Sequence, residues 1–263
     1  MPGLFTLQLA DGPGTPVVMS HALGLDHAMW SEWARTQAGR RPVLAYDHPG
    51  HGRSPSTAET ISMPSLVDGA AELIGHWRRG PVAWIGLSMG GMVGQGLAIR
   101  RPELLRGLVL SNTTAVYPPA GKAAWAQRIE AVRAGGMAAV ADLVVQRYLH
   151  EGFRAANPGV AASLRERILA NEPGSYIAAC RAVADVDWLD ELHRIACPTL
   201  VIAGALDAGA TPAMAEDIAK RIPGARIEIL PEASHLSLAE QPQAFGRVVE
   251  EFLAGIDKPK ERA

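Results

Sequence analysis

The sequence has few of the residues that build a disulfide framework or a metal site. Its two cysteines are Cys180 and Cys197, and no CxxC pair or Cys/His cluster is present. No pair of histidines has metal-ligand spacing on one helix face. These absences argue against a structural zinc site, and nothing in the sequence requires a disulfide. We therefore expect no bound metal and a reducing compartment.

The sequence also lacks an excess of charge and a long apolar run. Lys and Arg number 25 against 27 Asp and Glu, a net charge of -2, so there is no basic footprint for nucleic acid or an anionic membrane. No stretch reaches membrane-spanning length, and MPGLFTLQLADG has neither the basic start nor the apolar core of a signal peptide. We expect a cytoplasmic protein with a small-molecule substrate; a monomer and a homo-oligomer both fit.

Seven short runs rich in β-branched and apolar residues recur along the chain, each closed by a turn signal. Most are apolar on both faces, a pattern typical of buried parallel strands that helices cover on both sides. The runs are FTLQL (5–9), PVVMS (16–20), PVLAYD (42–47), VAWIGL (82–87), GLVLSN (107–112), TLVIAG (199–204) and RIEILP (226–231).

Segments whose apolar residues recur at helical spacing lie between most of these runs, at 64–78, 89–101, 213–222 and 241–254. Such alternation predicts an α/β fold with an open, mostly parallel central sheet flanked by helices. The alternation stops between about 115 and 190, where the chain is rich in Ala, Arg and Leu and has no clear strand. We predict a core formed by residues 1–114 and 186–263, and a helical cap over residues 115–185.

One serine stands between two glycines in the stretch Gly86-Leu87-Ser88-Met89-Gly90, where a predicted strand ends and a helix begins. This context is what a nucleophile elbow requires, because the glycines relieve crowding while the serine hydroxyl is exposed at a strained turn. The helix N-terminus behind it offers free N–H groups and a positive dipole end. The alternative is a tightly packed turn in which Ser88 is only an N-cap.

A serine nucleophile needs a base and an orienting carboxylate, which in this topology follow it in the order acid, then histidine. Asp207 comes just after the strand TLVIAG, and His235 follows the strand in RIEILP. Taken singly, Asp207 fits a turn or cap aspartate and His235 a loop histidine. Their shared order and placement favour a triad. Asp185 and Asp187 are rival acids, but neither follows a strand.

The oxyanion that forms during acyl transfer needs backbone N–H donors. The Met89 N–H, at the start of the helix, is one candidate. The second is expected in the loop after PVVMS, which reads His21-Ala22-Leu23-Gly24, and the Leu23 N–H is the candidate there. His21 is predicted to fix this loop by hydrogen bonds. His48 and His51 belong to a turn, and none of these histidines is assigned as a metal ligand.

With these residues in place, the chain resembles the α/β-hydrolase superfamily over nearly its whole length. The motifs of that superfamily imply Ser88 as nucleophile, Asp207 as acid and His235 as base, with Leu23 and Met89 as oxyanion donors. The resemblance rests on SHALG, YDHPGHGRS, GLSMGGMVG, RPELLRGLVLSNT, LVIAGALDAGATP and PEASHLSLAEQPQAF.

Within the superfamily, the chain is most similar to 3-oxoadipate enol-lactonases, through GLSMGGM, LVLSNTTA, ACRAVADVDW and the spacing of Trp125, Arg128 and Arg133. That family opens a five-membered enol-lactone bearing an acetate arm, in aromatic catabolism. The resemblance implies a cation in the cap for the substrate carboxylate, and Arg128, Arg133 and Arg181 are candidates. Each arginine also fits an exposed helix residue.

Several side chains of the predicted cap and its border fit either a substrate pocket or simple cap–core packing: Trp125, Trp188, Met137, Leu143 and Tyr148. Of these, Trp125 and Trp188 join Arg128 and Arg133 as candidate substrate-binding residues.

The expected reaction is hydrolysis of an ester or lactone through an acyl-enzyme, with no cofactor. A broad carboxylesterase for small acyl esters, a C–C bond hydrolase and a cofactor-free perhydrolase would use the same triad. A non-catalytic ligand-binding protein on the same fold is a further alternative, although such proteins typically lose a triad member. The acyl group of the substrate stays open at this point.

Overall fold

The computed structural model describes residues 3–55 and 61–257. At its centre is a sheet of seven strands: β1 (Thr6–Ala10), β2 (Val17–Ser20), β3 (Val43–Tyr46), β4 (Val82–Leu87), β5 (Leu105–Ser111), β6 (Thr199–Gly204) and β7 (Arg226–Leu230). Their order is β1-β3-β2-β4-β5-β6-β7. β1 pairs antiparallel with β3, and the other neighbours are parallel. The mostly parallel sheet predicted from the sequence is confirmed.

Helices lie along the sheet and between its strands. In the described ranges the α-helices are α1 (Ser31–Arg35), α2 (Met63–Trp77), α3 (Met89–Arg100), α4 (Pro119–Gly135), α5 (Ala141–Tyr148), α6 (Glu151–Ala156), α7 (Pro158–Leu169), α8 (Pro173–Ala184), α9 (Pro212–Arg221), α10 (Ser237–Glu240) and α11 (Pro242–Asp257). Short 3-10 helices lie at His27–Trp30, Pro102–Leu104, Met137–Ala139 and Leu189–Arg194. None of these helices is long and apolar enough to cross a membrane.

The segment between β5 and β6 contains α4 to α8 in succession, and Val116 and Asp187 close it with an isolated β-bridge. This is the stretch in which the sequence lost its strand signal. The division of the chain into a core and a cap over 115–185 stays a prediction, as does a cytoplasmic location. Cys180 and Cys197 are both free thiols.

The burial pattern explains why the strands were readable from the sequence. All six residues of β4 and all six of β6 are buried, since helices cover both faces of the sheet. β1 and β7, at the two edges, have exposed residues instead. In α11 the buried side chains recur at helical spacing, so one face packs on the sheet: Phe245, Val248, Val249, Phe252 and Leu253.

The parallel register brings the predicted functional loops to one edge of the sheet. β2 and β4 are aligned at Ser20 and Gly86, and β4 and β5 at Leu87 and Ser111. Each of these strands ends at this edge, and so do β6 and β7. Ligands of open α/β sheets bind in the crevice outside the carboxyl ends of the strands. The fold therefore collects the loops that contain the predicted nucleophile, acid, base and oxyanion donors.

Candidate active site

The turn at Ser88 is strained, as expected of a nucleophile elbow. Ser88 has φ 56° and ψ -114°, a conformation that few residues other than glycine adopt. Its side chain makes no capping hydrogen bond to α3, so Ser88 does not serve as the side-chain N-cap of that helix. The backbone is held instead: the Ser88 N–H donates to Ser111 O at 2.9 Å, and Thr113 Oγ1 donates to Ser88 O at 2.8 Å.

The two glycines of the elbow are required by close backbone contacts. A Cβ atom on Gly86 would lie 2.2 Å from the Gly90 carbonyl oxygen, and one on Gly90 would lie 2.1 Å from the Ser20 carbonyl oxygen. The second contact joins the elbow to the end of β2, just before the predicted oxyanion loop. The motif therefore exists because three backbone segments meet here with no room for a methyl group.

The predicted acid and base are paired. His235 Nδ1 and Asp207 Oδ2 are 2.7 Å apart, and both side chains are buried. Asp207 Oδ1 accepts from the N–H groups of Gly209 at 2.8 Å and Ala210 at 3.0 Å. Burial alone would raise the pKa of Asp207, but His235 and these N–H groups hold it below its ordinary value. Asp207 is therefore ionised at neutral pH and orients the imidazole.

Asn112 is part of this network, and the sequence reasoning did not find it. It follows β5, in a left-handed conformation with φ 47° that Asn tolerates better than most residues. Its Nδ2 donates to Asp207 Oδ2 at 3.2 Å and to Ser234 O at 2.9 Å. Asn112 thus ties the acid loop to the base loop. The available signal was its place at the end of a buried strand, between the strands that precede Ser88 and Asp207.

The nucleophile and the base share the edge of the sheet but are not yet hydrogen-bonded. In the described residues, no hydrogen bond joins Ser88 Oγ to His235, while Ser88 is 8 % and His235 6 % exposed. Catalytic hydrogen bonds are often long in the absence of substrate and tighten when it binds. Of the two hydrogen bonds expected in the predicted triad, the structure thus contains the one between Asp207 and His235.

Both predicted oxyanion donors are free. Within residues 3–55 and 61–257, neither the Leu23 N–H nor the Met89 N–H donates a hydrogen bond. His21 holds the Leu23 loop as predicted: its Nδ1 bonds to Ala22 O at 2.8 Å, and its Nε2 accepts from the His48 N–H at 2.8 Å. Burial, followed by the neighbouring His48 and His51, lowers the pKa of His21 well below its ordinary value. His21 is therefore neutral and structural.

Arg128 on α4 is a buried cation without an acidic partner. It is 8 % exposed, and its guanidinium lies 4.6 Å from the ring centroid of Trp125. Its electrostatic neighbours are Tyr176, Tyr148 and Cys180, and no carboxylate forms an ion pair with it in the described residues. The Tyr176 hydroxyl is also buried and makes no hydrogen bond in this part of the chain. A protonated guanidinium in this setting is suited to an anionic ligand.

The structure gives no such support to the other arginines. Arg133 lies on the outer side of α4, 46 % exposed by side chain, and pairs with Glu130 one turn away. Arg181 on α8 is exposed as well. An exposed, already paired cation does not need a substrate carboxylate, so the prediction that Arg133 binds substrate is not supported by its position.

Trp188 packs on α3. Its indole Nε1 donates to Met92 O at 3.1 Å, and its ring would touch a Cβ on Gly96 at 2.8 Å. It therefore holds the chain after α8 against α3, and its assignment as a substrate contact stays a prediction. Leu143 is 57 % exposed, whereas Met137 and Tyr148 are buried.

The rival acids and a large cavity of the described chain lie outside this site. Asp185 ends α8 and Asp187 lies in the bridge to Val116, so neither rival acid is hydrogen-bonded to His235. No group of three or more His, Cys, Asp or Glu side chains is placed to hold a metal in the described ranges. A cavity of about 1170 Å³ lies between α1, α7 and α11, and none of Ser88, Asp207 and His235 lines it.

Known proteins share both the sequence pattern and the fold. The alpha/beta hydrolase family matches residues 17–248. The chain is 33% identical to 3-oxoadipate enol-lactonase 2 of Acinetobacter baylyi, over 93% of this chain and 90% of that protein. The enol-lactonase of Burkholderia xenovorans superposes with a TM-score of 0.90 at 32% identity, over 95% of this chain and 96% of that one.

A further solved structure extends the comparison to esterases. A thermophilic esterase of Thermogutta terrifontis, described with malate bound, superposes with a TM-score of 0.88 at 30% identity, over 97% of this chain and 94% of that one. The match of the family over most of the chain agrees with the seven-stranded sheet and the turn at Ser88. The chain belongs to the alpha/beta hydrolase family.

Proposed function

We propose that the protein is a serine hydrolase that opens 3-oxoadipate enol-lactone, or a close relative bearing a carboxylate, through an acyl-enzyme. The observation that carries this choice is Arg128, a buried guanidinium that has no acidic partner among the described residues and that neighbours Tyr148, whose ring packs on His235. A site built for a neutral ester has no use for such a cation, because burying a charge without a partner is costly.

In the proposed first step, Ser88 Oγ attacks the lactone carbonyl and His235 Nε2 takes the hydroxyl proton. Asp207 holds the imidazole through Nδ1 and stabilises its charged form. The free Leu23 and Met89 N–H groups donate hydrogen bonds to the oxyanion, and each donor is worth about 3–4 kcal/mol in the transition state. The ring C–O bond then breaks, and the leaving enolate oxygen receives the proton from His235.

In the second step, His235 activates a water molecule, which attacks the acyl-enzyme carbonyl. The tetrahedral adduct collapses, the Ser88 Oγ–acyl bond breaks, and Ser88 regains its proton from the imidazolium. Both halves of an opened lactone stay in one molecule, so the product leaves as a single chain with two carboxylates. No cofactor takes part in these steps.

The carboxylate that a lactone substrate already bears would lie against Arg128. Trp125 stacks on the guanidinium, and the ring of Trp125 also meets Tyr117 at 5.7 Å between centroids. The buried Tyr176 hydroxyl lies next to the guanidinium and offers a further donor to the same carboxylate. A small, flat acid between aromatic rings and a fixed cation fits this chemistry.

The relatives support the proposal without deciding the substrate. Two similar proteins are described as enol-lactonases, while the Thermogutta protein is described as an esterase with malate bound. The likeness to an esterase favours a second candidate function, a broader carboxylesterase for small acyl esters. The malate on that protein is itself a dicarboxylate, which agrees with an acidic ligand.

The test is hydrolysis of 3-oxoadipate enol-lactone beside p-nitrophenyl acetate and butyrate, with Ser88→Ala as the control. We expect kcat/KM for the lactone to exceed that for the esters by a factor of 100 or more, about 2.7 kcal/mol of transition-state preference. Ser88→Ala is expected to lose nearly all turnover on every substrate while keeping the fold. Wild-type turnover in that variant would refute the serine mechanism.

Ester turnover without a lactone preference would leave the mechanism in place and favour the carboxylesterase. Failure of Ser88 to react with a fluorophosphonate, together with no hydrolysis of any of the three substrates, would point to a non-catalytic ligand-binding protein.

A further inference from the structure

Tyr148, the last residue of α5, is bonded to both of the loops that surround the reacting atoms. Its hydroxyl donates to Leu23 O at 2.7 Å, and its own carbonyl accepts from the Leu236 N–H at 2.9 Å. Its ring lies on the His235 imidazole, with 4.9 Å between centroids and 31° between planes. One buried side chain, 3 % exposed, thus contacts the predicted oxyanion loop and the predicted base.

We propose that Tyr148 is a positioning residue that sets the Leu23 N–H and the His235 imidazole relative to Ser88. This inference rests on the proposed serine mechanism and not on the identity of the substrate. It also gives the helical segment between β5 and β6 a part in the chemistry itself, because Tyr148 is the end of one of its helices.

The oxyanion loop needs such a hold because it contains a flexible residue next to the donor. Gly24 follows Leu23 and has φ +76°, a region that glycine enters freely. The Leu23 N–H itself makes no hydrogen bond in the described chain, so it contributes nothing to fixing the loop. The Tyr148 hydroxyl fixes the carbonyl of the same residue. Burial raises the pKa of this phenol far above neutrality, so it remains a donor at all working pH values.

The base needs a second hold for a geometric reason. The bond from Asp207 fixes Nδ1 but leaves the imidazole free to tilt about the line joining the two groups. The Tyr148 ring packs on the face of the imidazole and limits this tilt, in the offset geometry that aromatic pairs prefer. The Leu236 bond to the Tyr148 carbonyl fixes the backbone immediately after His235.

The test is Tyr148→Phe, which keeps the ring and the backbone bond and removes only the hydroxyl. The matched control is Tyr46→Phe, since Tyr46 is equally buried on β3 and its hydroxyl is hydrogen-bonded to Ser20 Oγ at 2.9 Å. Tyr148→Phe loses one buried hydrogen bond, and Tyr46→Phe loses the bond to Ser20 and a longer one to His48 Nδ1 at 3.5 Å, so similar urea midpoints are expected. With p-nitrophenyl acetate, Tyr148→Phe should lower kcat about tenfold or more while KM stays within about twofold, because the oxyanion donor is displaced. Tyr46→Phe should leave both constants near wild type.

A second measurement separates positioning from general loosening. A small alkylboronic acid binds the serine as a tetrahedral adduct and uses the oxyanion donors, whereas adipate resembles the dicarboxylate ground state. In Tyr148→Phe the boronic acid should bind weaker by the same factor as kcat falls, and the inhibition constant of adipate should not change. In Tyr46→Phe neither should change.

Two outcomes would overturn the inference: kcat of Tyr148→Phe within twofold of wild type, or a fall in kcat with undiminished boronic acid affinity. Ser88→Ala keeps these failures apart from a failure of the proposed function. An inactive Ser88→Ala beside a fully active Tyr148→Phe refutes the positioning role alone. An active Ser88→Ala refutes the serine mechanism and the inference with it.

Discussion

Replacing Arg128 with Met is expected to make the protein more stable and less able to use an acidic substrate. Arg128 is 8 % exposed and has no acidic partner in the described chain. A buried charge loses several kcal/mol of hydration, and apolar replacement of buried ionic groups often stabilises a protein by about 1–4 kcal/mol. The stacking on Trp125 at 4.6 Å offsets about 0.5–2 kcal/mol of that gain.

The net expectation is a gain of about 1–2 kcal/mol in the free energy of unfolding, or a rise in Tm of about 2–8 °C for a chain of this size. For the lactone, loss of a buried charge-assisted contact to the substrate carboxylate should lower kcat/KM by about 100- to 1000-fold. Hydrolysis of p-nitrophenyl acetate, which has no carboxylate, should stay within about threefold of wild type.

The matched control is Arg133→Met on the same helix, because Arg133 is exposed and already paired with Glu130. It should change neither the Tm nor the ratio of lactone to ester turnover. The measurements are thermal unfolding and kcat/KM on both substrates for the two variants. Equal losses on lactone and ester, or a fall in Tm of Arg128→Met with the lactone preference intact, would refute the assignment of Arg128 as the carboxylate site.

Two further predictions concern Asn112, which is bonded to the acid loop, and the three buried histidines near the predicted oxyanion loop. Asn112→Gly removes the side chain, and glycine accepts the left-handed backbone at this position. Because the bonds to Asp207 and Ser234 are lost, kcat should fall about tenfold or more. An unchanged kcat would show that Asn112 is dispensable. Burial first, and then mutual repulsion for two of them, lowers the pKa of three histidines: His21, His48 and His51. The unfolded chain therefore binds protons below about pH 6.5 that the folded chain does not, and stability should fall by about 1.4 kcal/mol per pH unit for each histidine. Asp47 and Asp26 act in the opposite direction on His51, since they raise its pKa. The control His193→Gln, at an exposed position, should not alter the loss of stability at low pH. Equal urea midpoints at pH 7.5 and 5.5 would contradict the prediction.

The sequence by itself determined the sheet and the chemical type of the site. Strands buried on both faces have to be apolar throughout, so runs such as VAWIGL and TLVIAG can be recognised as strands from the sequence. The glycines beside Ser88 were readable for a similar reason, since the local backbone contacts admit no other residue. The order of Ser88, Asp207 and His235 followed from strand ends that any parallel sheet brings to one edge.

Only the tertiary structure separates similar side chains into buried and exposed ones. Arg128 and Arg133 are five residues apart on one helix, and a helix turn of 3.6 residues places one inside and the other in solvent. Helical spacing alone does not say which face is covered, because that depends on the packing of α4 against α8. Trp188 likewise proved to be an anchor on α3. Asn112 and Tyr148 form hydrogen bonds to residues 95 and 125 positions away along the chain, and no local pattern encodes such contacts.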